Sequence, residues 1–340
     1  VSAQPKISVV LPVRDEEELL PGTLESLLRQ SEPDFEVIAV DDGSSDGTAG
    51  ILAGFAARDQ RIKPAAQDRA GIVTALNRGL AEARGALIAR IDADDIAHPD
   101  RLRLQAGFLD RAPETGLVAS RVEYLGDARK NAGLAHFVDW TNTLTSPERI
   151  SLYRFVESPI IHPSVMFRRE LAGQYGDYRD GPFPEDYELW LRWMEKGVRM
   201  AKLDETLTQW RDRPGRLTRT DSRYSVEAFY RTKAPYLHRW LERHNPRHPS
   251  VTVWGSGRAS RQRLKFLTDL GVRVEAFVDI DPRKIGYQIG GADVIWPDAL
   301  PGPGNCFVLS WVASRGARDE IEEELGQRGF RLGEHYLPCA

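Results

Sequence analysis

The stretch Ile88-Ala89-Arg90-Ile91-Asp92-Ala93-Asp94-Asp95-Ile96-Ala97-His98-Pro99-Asp100 constrains this chain more than any other. It opens as a short apolar run, the pattern of a buried strand. It then sets three carboxylates in four positions, and Pro99 argues against the strand continuing. Carboxylates bunched at a buried strand end repel one another and resist desolvation. A divalent cation removes that conflict. Mg²⁺ and Mn²⁺ are hard ions, and Mg²⁺ takes one or two protein carboxylates and completes its shell with phosphate oxygens and water. The competing reading is a solvated acidic turn before a helix at Arg101, and the stretch alone leaves the two balanced.

The preceding residues supply context. Ile7-Ser8-Val9-Val10-Leu11 reads as a buried strand stopped by Pro12, followed by the polar loop Val13-Arg14-Asp15-Glu16-Glu17. Leu20, Leu24, Leu27 and Leu28 recur at helical spacing. Residues 35–40 form a second strand pattern that runs into Asp41-Asp42-Gly43-Ser44-Ser45-Asp46-Gly47-Thr48, a turn-rich entry to a helix. A helix is expected near residues 71–83. Strands alternating with helices at this spacing imply a mainly parallel sheet with ligands at the strands' carboxyl ends. Pro12, Asp41-Asp42 and the carboxylates after Ile91 all fall at such ends.

These motifs, with Asn77-Arg78-Gly79-Leu80, resemble the family 2 inverting glycosyltransferases of GT-A fold, over roughly residues 5–215. The family resemblance implies transfer of a sugar from a nucleotide diphosphate sugar, with inversion and usually with Mn²⁺ or Mg²⁺. It implies that Pro12, Val13, Arg14, Asp15 and one of Asp41 and Asp42 hold the nucleoside, and that Asp92 and Ala93 face ribose or diphosphate. Asp94 becomes the main metal ligand, with Asp95 beside it. Arg69, in Gln67-Asp68-Arg69-Ala70-Gly71, is a candidate for base or phosphate contact, against the plainer reading of an exposed loop charge.

Residues 117–122 read as another strand. The run 126–159 is the least readable, and Trp140, Tyr153 and Phe155 in it suit a structural role or an acceptor groove. Ser158-Pro159-Ile160-Ile161-His162-Pro163-Ser164-Val165-Met166-Phe167 resembles the family strand after the metal motif, which makes His162 a candidate contact to donor or acceptor. In Gly181-Pro182-Phe183-Pro184-Glu185-Asp186-Tyr187-Glu188, the proline and acids suit a helix start, where the dipole favours carboxylates. The segment also resembles the family's Glu-Asp motif, whose aspartate is the general base. That role falls to Asp186, with Glu185 orienting it. Gln209-Trp210-Arg211 and the arginines after it look like a mobile segment past the core, with Arg211 in the family's aromatic–arginine position and a solvated basic linker as the rival for Arg213, Arg216 and Arg219.

Residues 222–244 read as one long helix that Pro235 kinks or splits, followed by the linker Asn245-Pro246-Arg247-His248-Pro249. Val251-Thr252-Val253-Trp254-Gly255-Ser256-Gly257-Arg258 is strand, glycine turn, helix. A second strand ends at Asp279, and a later one is expected over residues 307–312. The pattern resembles a Rossmann fingerprint, with Ser260 in place of the third glycine. Arg258 is expected either at a phosphate or paired with Asp279 or Asp281.

The expected architecture is α/β: a GT-A domain over residues 1–221, a helical connector over 222–249 and a small Rossmann-like accessory domain over 250–340. Expected partners are a nucleotide diphosphate sugar, UDP favoured, and a saccharide, lipid-linked saccharide or protein acceptor in bacterial surface glycan synthesis. A net charge of −4 gives no global case for nucleic acid. Two cysteines, Cys306 and Cys339, point to a reducing compartment, and no stretch approaches the ~20 apolar residues of a membrane helix. The expected location is cytoplasmic, with association at the inner face of the membrane and homo-oligomerisation left open. A nucleotidyltransferase would need a basic glycine-rich loop after the first strand, where this chain is acidic. A non-catalytic nucleotide-sugar-binding scaffold is the other rival, against which the Asp94 and Asp186 motifs argue.

Overall fold

The computed structural model describes residues 4–314 and 316–340. They cluster into two compact units, one holding 4–150, 160–181 and 192–220, the other 151–159, 182–191, 221–314 and 316–340.

The first unit is built on an eight-stranded sheet. Its strands are β1 (Ile7–Val13), β2 (Phe35–Asp42), β3 (Ile62–Gln67), β4 (Leu87–Arg90), β5 (Ile96–Ala97), β6 (Thr115–Leu125), β7 (Met166–Arg168) and β8 (Arg199–Arg211). Their order is β3-β2-β1-β4-β7-β6-β8-β5. β1 runs parallel to β2 and β4, and β2 parallel to β3. β7 is antiparallel to both its neighbours and β5 is antiparallel to β8, so the far half of the sheet is mixed. Every residue of β1 and β2 is buried, as expected of parallel strands covered on both faces. Helices Leu20–Leu28, Thr48–Arg58, Ile72–Glu82 and Arg101–Arg111 lie between the strands in sequence. Leu24, Leu52 and Leu102 from three of them join Val9, Leu11, Val37 and Ala89 in one core. Gly79 lets the helix Ile72–Glu82 approach β1 closely, because a Cβ there would meet Val10 Cγ1 at 2.5 Å.

Three local expectations change. Gln209, Trp210 and Arg211 are not part of a mobile segment. They finish β8, where β6 and β5 pair with them and Trp210 is buried. The strand expected around His162 shrinks to Met166–Arg168, preceded by a 3₁₀ turn at His162–Ser164, since Pro159 and Pro163 withhold ladder donors. The helix near the second linker begins at Val226, after a separate 3₁₀ turn at Ser222–Tyr224, and it carries Pro235 inside it.

The second unit holds a six-stranded sheet of β9 (Ser250–Trp254), β10 (Arg273–Val278), β11 (Gln288–Ile289), β12 (Ala292–Ile295), β13 (Val308–Ser310) and β14 (Tyr336–Pro338), in the order β11-β12-β10-β9-β13-β14. Apart from the antiparallel β11, all its pairings are parallel. Its core draws in Phe155, Tyr187 and Leu191 beside Leu237, Trp240, Val253 and Leu309. The contact-defined unit therefore includes two short earlier segments and the helix Val226–His244 with residues 250–340. No helix among the described residues is long and apolar enough to cross a membrane.

Candidate functional site

The carboxyl ends of β1, β2 and β4 share one rim, and the loops there are tied by side chains. Ser45 N–H donates to Asp15 Oδ1 (2.8 Å), Asp15 N–H to Ser44 Oγ (2.9 Å) and Gly47 N–H to Glu17 Oε2 (2.7 Å). Asp15 holds a positive φ of 50°, uncommon outside glycine. Pro12 and Val13 are buried, Arg14 is half-buried and Asp15 exposed. Asp41 accepts from Ser44 N–H (3.0 Å). Asp42 receives the Ala70 and Gly71 N–H groups at 2.7 and 2.9 Å and the Gln67 amide at 2.8 Å, so it fixes the loop that carries exposed Arg69. Gly43, at φ 68°, lets that loop close: a Cβ would meet Arg69 N at 2.8 Å.

β4 ends at Arg90, and Asp92 to Asp95 turn sharply, with the Asp95 N–H donating to Asp92 O (3.2 Å). Ala93 is buried, and its carbonyl accepts from Thr23 Oγ1 (2.8 Å). Carboxylate oxygens of Asp92, Asp94 and Asp95 lie within 4.8 Å of one another. Burial and the neighbouring Asp92 charge push the Asp94 carboxyl up to about 6, and burial with both neighbours pushes Asp95 well above the usual range. Burial would raise Asp92 too, but Arg90 and Arg216 outweigh it and hold that carboxyl low. Asp95 Oδ1 accepts from Arg211 N–H (2.8 Å), while Oδ2 is buried without a partner. Like charges in contact, hard oxygen donors and an orphaned buried oxygen together suit Mg²⁺ or Mn²⁺.

Basic groups surround the cluster. Arg90, buried in β4, pairs with Asp92 at 2.7 Å and keeps Nε and Nη1 buried without partners. Arg211 Nε donates to the Asp94 carbonyl (3.0 Å). Arg213 bridges Asp94 (3.1 Å) and Glu16, and Arg216 reaches Asp92 (3.3 Å) from over the Trp210 ring. Beneath the turn, buried Arg101 donates to the Arg90 and Val165 carbonyls at 2.6 and 3.2 Å. His162 is buried, its Nε2 2.7 Å from Tyr178 Oη. Burial and the Arg90 charge hold its imidazole well below the ordinary range, so it is neutral at physiological pH. Asn77 exchanges two hydrogen bonds with the Tyr178 backbone, giving the Asn-Arg-Gly motif an architectural role.

Glu185 and Asp186 begin the helix Glu185–Glu195 and fall in the second unit. Glu185 is buried and accepts from Tyr224 Oη (2.6 Å), and Asp186 is half-buried and accepts from Tyr187 N–H (2.7 Å). Burial and these two carboxylates push the Tyr224 hydroxyl far above its usual range, which keeps it a donor. In the same unit Asp279 accepts from Ser256 N–H (3.1 Å) and Lys284 Nζ (2.9 Å), and Arg283 pairs with Asp281.

The sequence motifs single out the carboxylates and Arg211 but not Arg90, Glu16, Arg213 and Arg216. Arg90 carried a signal, a lone charge inside an apolar strand.

A mostly parallel sheet with acidic rim loops after β1, β2 and β4 is the architecture of GT-A transferases. S. aureus TarS 1–349, in complex with UDP-GlcNAc, aligns with a TM-score of 0.55 at 19% sequence identity, over 78% of this chain and 71% of that one. The EpsE protein of Bacillus subtilis (strain 168) is 30% identical over 235 residues, which cover 67% of this chain and 80% of EpsE. The amylovoran biosynthesis glycosyltransferase AmsE of Erwinia amylovora is 28% identical over 195 residues, 57% of this chain and 71% of AmsE. The Glycosyl transferase family 2 pattern matches residues 8–176, and the chain belongs to that family.

Proposed function

We propose that this glycosyltransferase moves a sugar from a nucleotide diphosphate sugar to an acceptor hydroxyl in a single inverting displacement. The observation that carries the reading is the Asp92, Asp94 and Asp95 cluster, with a buried, unpartnered Asp95 oxygen, at the carboxyl end of β4. Asp94 and Asp95 would hold Mg²⁺ or Mn²⁺. Bound there, the ion would supply charge stabilisation for the departing diphosphate. The rim residues Pro12 to Asp15, with Asp41, Asp42 and Arg69, would hold the nucleoside, and Asp92 and Ala93 the ribose or diphosphate. Arg211, Arg213 and Arg216 would place positive charge where the leaving group gains negative charge. His162, neutral and buried, would act as a hydrogen-bonding contact to donor or acceptor and not as an acid. Asp186 would take the acceptor proton as attack occurs, with Glu185 holding its neighbourhood through Tyr224.

UDP is the favoured nucleotide, a choice supported by the UDP-GlcNAc in the TarS complex. The acceptor would be a saccharide, lipid-linked saccharide or protein at the inner face of the membrane. Residues 1–221 would form the catalytic domain, and residues 250–340 a Rossmann-like accessory domain for acceptor recognition or assembly. The test is a panel of UDP-, GDP- and dTDP-sugars, read by release of nucleoside diphosphate with Mn²⁺, with Mg²⁺ and with chelator. The reading expects metal-dependent release from at least one donor and none with chelator. Release that is unaffected by chelator would remove the metal from the account.

A further inference from the structure

The second unit carries another cluster of ligating side chains, and none of it belongs to the transfer site. His238 and Glu242 stand one helical turn apart on the helix Val226–His244, a spacing that puts both on one face. His248 comes from the turn that leads into β9. The donor atoms of the three residues lie within 4.8 Å of one another. His238 Nδ1 is 3.8 Å from Glu242 Oε2, too long for a hydrogen bond. Two donors each about 2.0–2.2 Å from one ion can be as far apart as about 4.4 Å, so that pair already lies within a shared ion's reach. The His248 ring packs edge-on against His238 with centroids 5.3 Å apart, and its Nδ1 is buried with no hydrogen-bond partner. A buried imidazole nitrogen without a partner is left needing a hydrogen-bond donor or acceptor, according to its tautomer, or an ion. The turn is otherwise well tied, since Asn245 Nδ2 donates to Ser250 O (2.9 Å) and Arg247 N–H to Asn245 Oδ1 (2.9 Å).

We infer that His238, Glu242 and His248 form a site for a divalent transition ion of the zinc class. Two imidazoles and one carboxylate are a zinc donor set with a fourth position left for water. The chemistry separates this site from the Asp92 cluster: imidazole selects zinc-like ions, whereas an all-carboxylate site suits Mg²⁺ and Mn²⁺. The ion pins the end of the long helix to the turn that leads into β9.

The test uses the full chain, stripped with chelator and titrated with Zn²⁺ by calorimetry in saturating Mg²⁺. Co²⁺ absorption in the visible serves as a second readout. The inference expects one zinc equivalent in the wild type. His238→Ala and His248→Ala should each weaken it by more than the ~10–100-fold that loss of an outer-shell partner costs. Glu242→Gln, an exposed change that leaves the helix intact, should also weaken it. The double variant Asp94→Asn, Asp95→Asn should keep the zinc equivalent and its Co²⁺ band. No zinc uptake by the wild type, unchanged uptake in the histidine variants, or loss in the aspartate double variant would overturn the inference.

Discussion

Asp186, the proposed base, is half-buried, whereas Glu36 is buried near the start of β2. Replacing Asp186 with Asn removes a proton acceptor while keeping the oxygen that receives the Tyr187 N–H. Transfer should fall by about 10²–10⁴ with donor binding retained, measured as turnover against nucleotide affinity. Near-normal turnover would pass the role to Glu185. Glu36 is structural. Burial resists its ionisation, but hydrogen bonds from Arg84, Lys63 and Ser8 more than offset that and hold its carboxyl at about 2. A depressed carboxyl stabilises the fold fully above its ordinary 4.5, and that contribution is lost as pH falls from there toward about 2. Glu36→Gln should therefore flatten the loss of stability across that window, read from urea midpoints. An equally steep acid limb would show that Glu36 is not the linked group. Gly43→Ala places a Cβ against Arg69 N in a left-handed backbone, so about 1–2 kcal/mol of stability should be lost, detectable by chemical denaturation.

At the level of elements, the end of β8 and the residues after it govern the acidic turn. Arg213 pairs with Asp94, a proposed cation ligand, and Arg216 with the neighbouring Asp92, so the two arginines would oppose a cation there. Arg213→Ala with Arg216→Ala should tighten Mn²⁺ binding in the absence of nucleotide and weaken UDP binding in its presence. Unchanged affinity for both would detach the arginines from the site. The carboxylates were legible because strand periodicity and turn residues are local signals, and they fall on successive strand ends. The pairing of Arg213 with Asp94 and of Arg216 with Asp92 joins residues 119 and 124 positions apart. Gln209 to Arg211 look like the start of a mobile segment because Asp212 and Arg213 follow them, whereas pairing with β5 and β6 makes them strand.

Over the whole molecule, the larger sheet was legible and the make-up of the second unit was not. Phe155, Tyr187 and Leu191 look like ordinary core residues of the first half, and only three-dimensional contacts assign them to the core around Val253 and Leu309. A chain ending at Pro249 should expose Phe155, Tyr187, Leu237 and Trp240, all buried in the full chain, and lose cooperative unfolding or aggregate. The central claim concerns the carboxylates after β4. Its most direct test is calorimetric titration of UDP into the wild type and into Asp94→Asn, each with Mn²⁺ and with chelator. The account predicts that Mn²⁺ strengthens UDP binding to the wild type and that Asp94→Asn loses this enhancement. Equal metal-dependent binding by both proteins would contradict it.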